Sequence, residues 1–142
     1  MKKPGIVIDT NVIVSALRSS RGASYKLLTA IDSNKFDINI SVPLILEYED
    51  ATKRLIGKIM LRKKDIDDIL DYICSVAEHW KIFYLWRPYL KDPIDDMVLE
   101  LAVTANCDYI VTYNKKDFQN VKTFGLSVVT PQELLKLIGE LK

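Results

Sequence analysis

Short apolar runs alternate along the chain with segments whose apolar residues recur every three or four positions. The runs predict strands at 4–8, 36–41, 108–112 and 126–130. The helical spacing predicts helices at 11–18, 24–33, 63–79 and 93–106. Residues 81–86 are also rich in strand-forming side chains. This alternation predicts an α/β fold around a mainly parallel sheet, and ligands of such folds bind at the carboxyl ends of the strands.

Proline and capping residues mark where two further helices begin. Pro43 predicts a helix of about three to four turns, because proline is favoured at the first helical position. Near the other end of the sequence, Thr130, Pro131 and Glu133 have the spacing of a capping box with proline just inside the helix.

The composition limits the class of protein. The chain has 142 residues, the length of one ordinary domain, so we expect residues 1–142 to form a single domain. No apolar run approaches the ~20 residues that span a bilayer and no signal peptide is evident, so we expect a cytoplasmic protein with no membrane association. Cys74 and Cys107 are isolated and His79 is the single histidine, which argues against zinc, disulfide and histidine-dependent nucleophilic chemistry.

Asp9 is a carboxylate between two segments that are both typical of a buried core. The apolar run 6–8 precedes it and the apolar run 12–14 follows it. Asp9 therefore either caps a helix or is held at the edge of a sheet to do chemistry. Tyr113 and Asn114 directly follow another predicted strand, so a parallel sheet would bring them to the same edge as Asp9.

Glu47 is the acid of its helix that the pattern places nearest the core. The predicted buried stripe of that helix consists of Leu44, Tyr48, Ala51 and Leu55. Glu47 lies about 60° from the middle of the stripe, at ~100° per residue. The same pattern fits a glutamate that pairs with a nearby lysine, and the sequence favours neither interpretation.

Three acids at the start of the helix predicted at 93–106 call for separate explanations. Asp92 precedes Pro93 and has the position of an N-cap, and Asp95 is three residues further on as a partial capping partner. No such explanation is available for Asp96, which enters an otherwise apolar helix. An ionised carboxylate on a buried helix costs several kcal/mol unless it is paired or binds a cation.

Asp9, Glu47 and Asp96 together suggest a metal site. Two carboxylates about 4 Å apart repel by about 4 kcal/mol at an effective dielectric constant near 20, so three of them need a cation. Oxygen ligands without Cys or His favour Mg²⁺ or Mn²⁺ over zinc, and such sites commonly serve phosphate chemistry.

The segment VTYNKKDF (111–118) offers further oxygen ligands directly after a predicted strand. These are Thr112, Asn114 and Asp117. Taken alone, the segment is better explained as a turn, because Asn and Asp populate turns for backbone reasons.

Three segments of the sequence together resemble a PIN domain. This is the metal-dependent nuclease family that includes toxins of bacterial and archaeal toxin–antitoxin pairs. VIDTNVIVSAL is similar to the opening strand of the family, with Asp9 as its first acid. SVPLILEYEDATKR is similar to the second block, with Glu47 as its acid. DPIDDMVLELAVTANCDYIVTYNKKDF is similar to the third and fourth blocks, with Asp96 as the third acid.

The resemblance implies a three-layer α/β/α sandwich around the sheet, and RNA hydrolysis by metal-activated water with no covalent intermediate. It implies Mg²⁺ or Mn²⁺ as cofactor, with these metal ligands: Asp9, Glu47, Asp96 and Asn114. Further residues are expected beside the ligands: Thr10, Asn11, Asp95, Thr112 and Asp117. Many members carry Asp where this chain has Asn114, which ligates without bringing a charge, so a second metal has less support than the first.

The segment KRLIGKIMLRKK (53–64) carries six basic residues and no acid. Its cations could follow an RNA backbone, and the residues concerned are Lys53, Arg54, Lys58 and Arg62. An ordinary solvated connection between two helices explains the segment equally well. Aromatic residues of the 81–89 region could stack on bases, although such residues are more often core: Tyr84, Trp86 and Tyr89. The resemblance also implies an antitoxin partner and a homodimer.

Three functions follow as hypotheses. The first is a Mg²⁺- or Mn²⁺-dependent endoribonuclease that acts as a toxin. The second is a non-catalytic PIN-like module that binds RNA or protein, motivated by Asn114. The third is a phosphatase with Asp9 as nucleophile, which usually requires a second acid at the position that Asn11 occupies here.

Overall fold

The fold is that of a computed structural model, which describes residues 3–82, 90, 92–119 and 121–141. Its strands are β1 (Gly5–Ile8), β2 (Asp37–Ile40), β3 (Glu78–His79), β4 (Tyr109–Val111) and β5 (Ser127–Val129). Its helices are α1 (Thr10–Arg18), α2 (Ala23–Thr29), α3 (Val42–Lys53), α4 (Lys63–Val76), α5 (Pro93–Thr104) and α6 (Pro131–Leu137). Short 3₁₀ helices cover Ala30–Ser33, Lys115–Phe118 and Val121–Phe124.

The described strands form one parallel sheet in the order β3-β2-β1-β4-β5. Its central strand β1 carries Ile6, Val7 and Ile8, each fully buried. Since consecutive strand residues point to opposite faces of the sheet and all three of these residues are buried, both faces of the sheet are covered. The predicted three-layer α/β/α arrangement around a parallel sheet is therefore confirmed.

The order of the strands fixes where a site can form. The chain leaves β1 toward α1 and leaves β4 toward the 3₁₀ helix at Lys115–Phe118, and β1 and β4 are neighbours with Ile8 paired to Val111. Residues that directly follow these two strands therefore meet at one edge of the sheet, which we call the carboxyl edge. Helix α5 packs against both strands and is buried from Asp96 to Ala102.

The prediction of a helix over 63–79 is wrong at its end. Helix α4 stops at Val76, because Ala77 has extended backbone angles and Glu78–His79 pair with β2 as an edge strand. Trp80 secures this edge, since its indole N–H donates to Asn39 Oδ1 at 2.8 Å and its backbone N–H donates to the Ile40 carbonyl at 3.0 Å. Lys81 and Ile82 are not in a strand, and the rest of the strand-rich segment 81–86 lies outside the described residues.

Other predicted boundaries move by a few residues. The helix expected at 24–33 divides into α2 and a 3₁₀ turn, and the helix expected at 93–106 ends at Thr104. Pro43 is the second helical residue of α3, because Ser41 is the cap and accepts the Leu44 N–H through its hydroxyl at 3.4 Å. The capping box of α6 is present as predicted. In the described part of the chain, no helix is long and apolar enough to cross a bilayer.

Candidate active site

Asp9 lies at the carboxyl edge and is only 6% exposed. Its two carboxylate oxygens serve different purposes. Oδ1 caps α1 by accepting the Thr10 N–H at 2.8 Å, and Oδ2 accepts the Thr112 hydroxyl at 2.8 Å and the Asn11 amide at 3.4 Å. Asp9 therefore caps a helix, as one interpretation of the sequence predicted, and it also lies at the edge of the sheet.

Thr112 and Asn11 join the ends of β1 and β4. The Thr112 hydroxyl accepts the Asn11 side-chain amide at 3.2 Å and the backbone N–H of Asn114 at 3.0 Å. Asn11 Oδ1 in turn accepts the backbone N–H of Tyr113 at 3.4 Å. These bonds fix the side chain of Asp9 and the segment after β4 relative to each other.

The environment of Asp9 disfavours its negative charge. Burial raises the pKa of Asp9, and the negative charges of Asp117 and Asp92 raise it further. The hydrogen bonds from Thr112 and Thr10 oppose this increase without cancelling it. A cation beside Asp9 would relieve the repulsion.

Glu47 is half-buried on α3, as the sequence pattern predicted. Burial raises the pKa of Glu47, and the charges of Asp50, Asp92 and Asp9 add to the increase, so Glu47 and Asp9 share one electrostatic environment. The next residue, Tyr48, is fully buried and its hydroxyl donates to the carbonyl of Ile8, directly before Asp9. Helix α3 is thereby attached to the strand end that carries Asp9.

The structure confirms the explanation given to one acid at the start of α5 and corrects those given to the other two. Asp92 caps the helix as predicted, by accepting the Ile94 N–H at 2.9 Å. Asp96 is 2% exposed, and its Oδ1 accepts the backbone N–H of Leu90 at 2.6 Å, so it does have a structural partner. The sequence pattern missed this bond because Leu90 precedes the helix and belongs to no periodic segment.

Asp95 is half-buried and forms no capping box with Asp92 in the described part of the chain. Burial raises the pKa of Asp95 to about 7, with further increases from the charges of Asp9, Asp92, Asp117 and Asp96. Asp95 therefore belongs to the group of acids around Asp9. The sequence did contain a signal for this position, since residues three apart on a helix share a face and Asp95 follows Asp92 by three.

The remaining predicted ligands have different positions. Asp117 is exposed, but its charge raises the pKa of both Asp9 and Asp95, which places it near them. Asn114 is also exposed. Its described hydrogen bond to the carboxyl edge runs from its backbone N–H to the Thr112 hydroxyl.

Beside Glu47, an open groove of about 670 Å³ runs between α3 and α5. Its lining residues are Pro43, Leu46, Glu47, Asp50, Ile82, Pro93, Ile94, Met97 and Glu100.

Comparison with known proteins identifies the family. The family model described as PIN domain matches residues 5–116, most of the chain. The chain belongs to the PIN domain family. No curated protein shows significant sequence similarity to it.

Solved structures of the same fold include two VapBC proteins. One is the crystal structure of VapBC2 from Rickettsia felis bound to a DNA fragment from their promoter, with a TM-score of 0.60, 19% identity, and coverage of 87% of this chain and 98% of that chain. The other is the structure of VapBC-1 from nontypeable Haemophilus influenzae, with a TM-score of 0.61, 15% identity, and coverage of 90% and 98%. At these identities, the likeness establishes the shared fold.

The acids of this PIN domain fit a hard divalent cation by their chemistry. In the described residues, no three His, Cys, Asp or Glu side chains converge closely enough to hold a metal ion as they stand. However, the candidate metal ligands at the carboxyl edge are all oxygen atoms, and the pKa values of Asp9, Glu47 and Asp95 are raised. Among the described residues, the buried Thr10 hydroxyl also has no hydrogen-bond partner, which fits the neighbourhood of a hydrated cation.

Most cations of the basic segment 53–64 are paired with acids of the flanking helices α3 and α4. Lys53 lies 3.4 Å from Glu49 and 3.7 Å from Asp67. The other described ion pairs of the segment are Arg54 with Asp50, Arg62 with Asp65 and Lys64 with Asp68. Of the four cations predicted to bind RNA, only Lys58 has no ion pair within the described residues. The predicted stacking residues Tyr84, Trp86 and Tyr89 lie outside those residues.

Proposed function

We propose that this PIN domain is an endoribonuclease that hydrolyses RNA phosphodiester bonds with Mg²⁺ or Mn²⁺ as cofactor. The family is one of nucleases. The observation that carries the proposal is the group of acids at the carboxyl edge, in which burial and mutual repulsion raise the pKa of Asp9, Glu47 and Asp95 together. Such an arrangement is costly for folding alone and suits a bound cation.

In this proposal Asp9, Glu47 and Asp95 hold the cation. Asp9 is fixed for this purpose by Thr112, Asn11 and the N-terminus of α1, and Glu47 by the attachment of α3 to Ile8. When bound, the cation would supply an activated water and stabilise the leaving oxygen.

The other predicted residues support these ligands. Asp96 secures the backbone before α5, and it can contribute charge from behind Asp95. Asn114 and Asp117 flank the site from the segment after β4, where Asn114 would bring an oxygen without a charge and Asp117 a carboxylate. We therefore propose one tightly held cation.

We further propose that the protein is the toxin of a toxin–antitoxin pair. The support is the shared fold with VapBC toxin–antitoxin complexes. An antitoxin protein and a second copy of the chain are the partners that this proposal implies.

RNA cleavage with and without metal tests the enzymatic proposal. Purified protein should cleave RNA in Mn²⁺ and lose this activity in EDTA, and Asp9→Asn should abolish it. Asp68→Asn is a matched control, because Asp68 is an exposed acid of α4 paired with Lys64 at 3.5 Å. Equal cleavage by Asp9→Asn and Asp68→Asn would refute the proposal.

A non-catalytic RNA- or protein-binding PIN domain is the second candidate. It is favoured by the neutral Asn114 and by the absence, among the described residues, of three acids that converge on one point. Titration calorimetry separates the two candidates, because a catalytic site should bind Mn²⁺ and a degenerate site should not.

A further inference from the structure

Tyr113 is an aromatic side chain that is held at both ends at the carboxyl edge. Its hydroxyl lies 2.5 Å from the Ser24 hydroxyl, and Ser24 is only 1% exposed on α2. Its backbone N–H donates to Asn11 Oδ1 at 3.4 Å. Even so, Tyr113 remains 45% exposed. It is therefore a fixed residue that still presents much of its surface to solvent.

The position of Tyr113 relates it to the group of acids. The preceding residue, Thr112, donates its hydroxyl to Asp9 at 2.8 Å. Two lysines follow Asn114, of which Lys115 pairs with Glu133 at 2.5 Å and Lys116 is exposed. Tyr113 therefore directly follows a residue that is bonded to Asp9, and the Lys116 charge lies three residues further along the chain.

An aromatic ring that is fixed before binding suits a nucleobase. Unpaired bases stack on tyrosine rings, and every base offers a π face, so such stacking is tolerant of sequence. A ring anchored at its hydroxyl and its backbone loses little side-chain freedom when a base stacks on it. Tyr113 carries no charge, so its exposure is not explained by the need to keep a charge in contact with solvent.

We propose that Tyr113 is a stacking platform for an unpaired nucleobase adjacent to the phosphate that this site cleaves. The proposal rests on the proposed ribonuclease function and adds the residue that receives the base. It also predicts that the substrate is single-stranded at this nucleotide.

Binding of a fluorescent oligonucleotide tests the platform without depending on cleavage. The probe is a short single-stranded RNA in which 2-aminopurine replaces one base at a time, titrated with the Asp9→Asn protein. At one probe position the protein should quench the 2-aminopurine emission. Tyr113→Leu should remove this quenching and weaken binding by about 5- to 150-fold, the range expected for loss of one stacked base.

Matched variants separate stacking from general effects. Tyr113→Phe keeps the ring and should retain most of the quenching, and Ser24→Ala, which releases the hydroxyl, should give an intermediate loss. Tyr72→Leu is the control, because Tyr72 is 37% exposed and its hydroxyl is also anchored, to Asp32, but it lies on α4 away from the carboxyl edge. It should leave both readouts unchanged.

The outcomes distinguish this proposal from the proposed function. If the unmutated protein cleaves RNA but Tyr113→Leu binds and quenches like its parent, the platform is refuted and the nuclease stands. If quenching depends on Tyr113 but the unmutated protein never cleaves RNA, stacking of a base on Tyr113 stands, whereas the hydrolytic function and the placement beside a cleaved phosphate fail. Absence of RNA binding by the parent would overturn both.

Discussion

At the scale of single residues, the site depends on how each acid is held. Asp9 is bound through both oxygens, Asp96 through a backbone N–H, and Asp95 is half-buried among the charges of its neighbours. An acid with strong hydrogen-bond donors contributes to stability, whereas an acid surrounded by like charges costs stability until a cation arrives. Adjacent residues of one helix can therefore have opposite effects on folding and on binding.

Substitution of the two neighbouring acids should show this contrast. In metal-free buffer, Asp96→Asn should lower the free energy of unfolding by about 1 kcal/mol, because a charged acceptor is replaced by a neutral one at a buried bond. Asp95→Asn should leave stability unchanged or increase it, and should abolish Mn²⁺ binding. Urea unfolding and titration calorimetry measure the two effects, and a larger loss of stability for Asp95→Asn would contradict the assignment.

A second residue-scale prediction concerns Tyr48, whose hydroxyl donates to the Ile8 carbonyl. Tyr48→Phe should weaken Mn²⁺ binding several-fold, because the strand end before Asp9 loses its attachment to α3. Thr52→Val is the matched control, since Thr52 is also fully buried on α3 and its hydroxyl donates to the Tyr48 carbonyl at 2.7 Å.

Both variants should lose about 1–3 kcal/mol of stability, the usual cost of disrupting a buried hydrogen bond. Only Tyr48→Phe should change the affinity for Mn²⁺ measured by calorimetry. Equal Mn²⁺ affinities in the two variants would mean that Tyr48 has only a structural role.

At the scale of elements, local signals fix the starts of helices better than their ends. Asp92 and Thr130 cap their helices as residue type and spacing suggest, and α3 begins one residue before the position that Pro43 indicated. The end of α4 has no such local signal, because it depends on pairing of Glu78–His79 with β2. That pairing is a contact between distant parts of the chain, which helical periodicity cannot reveal.

The capping box of α6 permits a test at this scale. Hydrogen bonds from Lys115 and from the Thr130 N–H hold the pKa of Glu133 below its ordinary value of 4.5. Since the folded pKa is the lower one, Glu133 stabilises the fold above pH 4.5, and this contribution disappears as the pH falls through the folded pKa.

Glu133→Gln should therefore cost up to about 0.5 kcal/mol at pH 7, an amount reduced by the exposure of this group, and less at pH 3. Thermal unfolding at both pH values measures the difference, with Gln132→Ala as a control in the same turn. A cost that is the same at pH 3 and pH 7 would show that charge is not involved.

At the scale of the whole molecule, the parallel sheet brings together acids that are distant in sequence. Asp9, Glu47 and Asp95 come from the end of β1, from α3 and from α5, which pack around the carboxyl edge, and the charge of Asp9 raises the pKa of both other acids. Their mutual repulsion opposes folding, so a cation that binds only the folded state should increase global stability.

Mn²⁺ should therefore raise the free energy of unfolding of the unmutated protein, by about 2.7 kcal/mol at 100 times the dissociation constant. EDTA should reverse the effect, and Asp9→Asn should remove it. Urea unfolding with and without Mn²⁺ provides the measurement. Equal stabilisation of both proteins would indicate that Mn²⁺ binds elsewhere.

The sequence by itself determined the α/β class, the parallel sheet, most helix starts, and the position of Asp9 at the end of a buried strand. These features are encoded in local periodicity and capping, which act between residues close together in the chain. Tertiary structure decided that the charge of Asp9 acts on Asp95, that Asp96 binds the Leu90 backbone, that Tyr48 attaches α3 to β1, and that Tyr113 is anchored by Ser24. Each of these depends on side chains from separate elements, whose distances are set only when the elements pack.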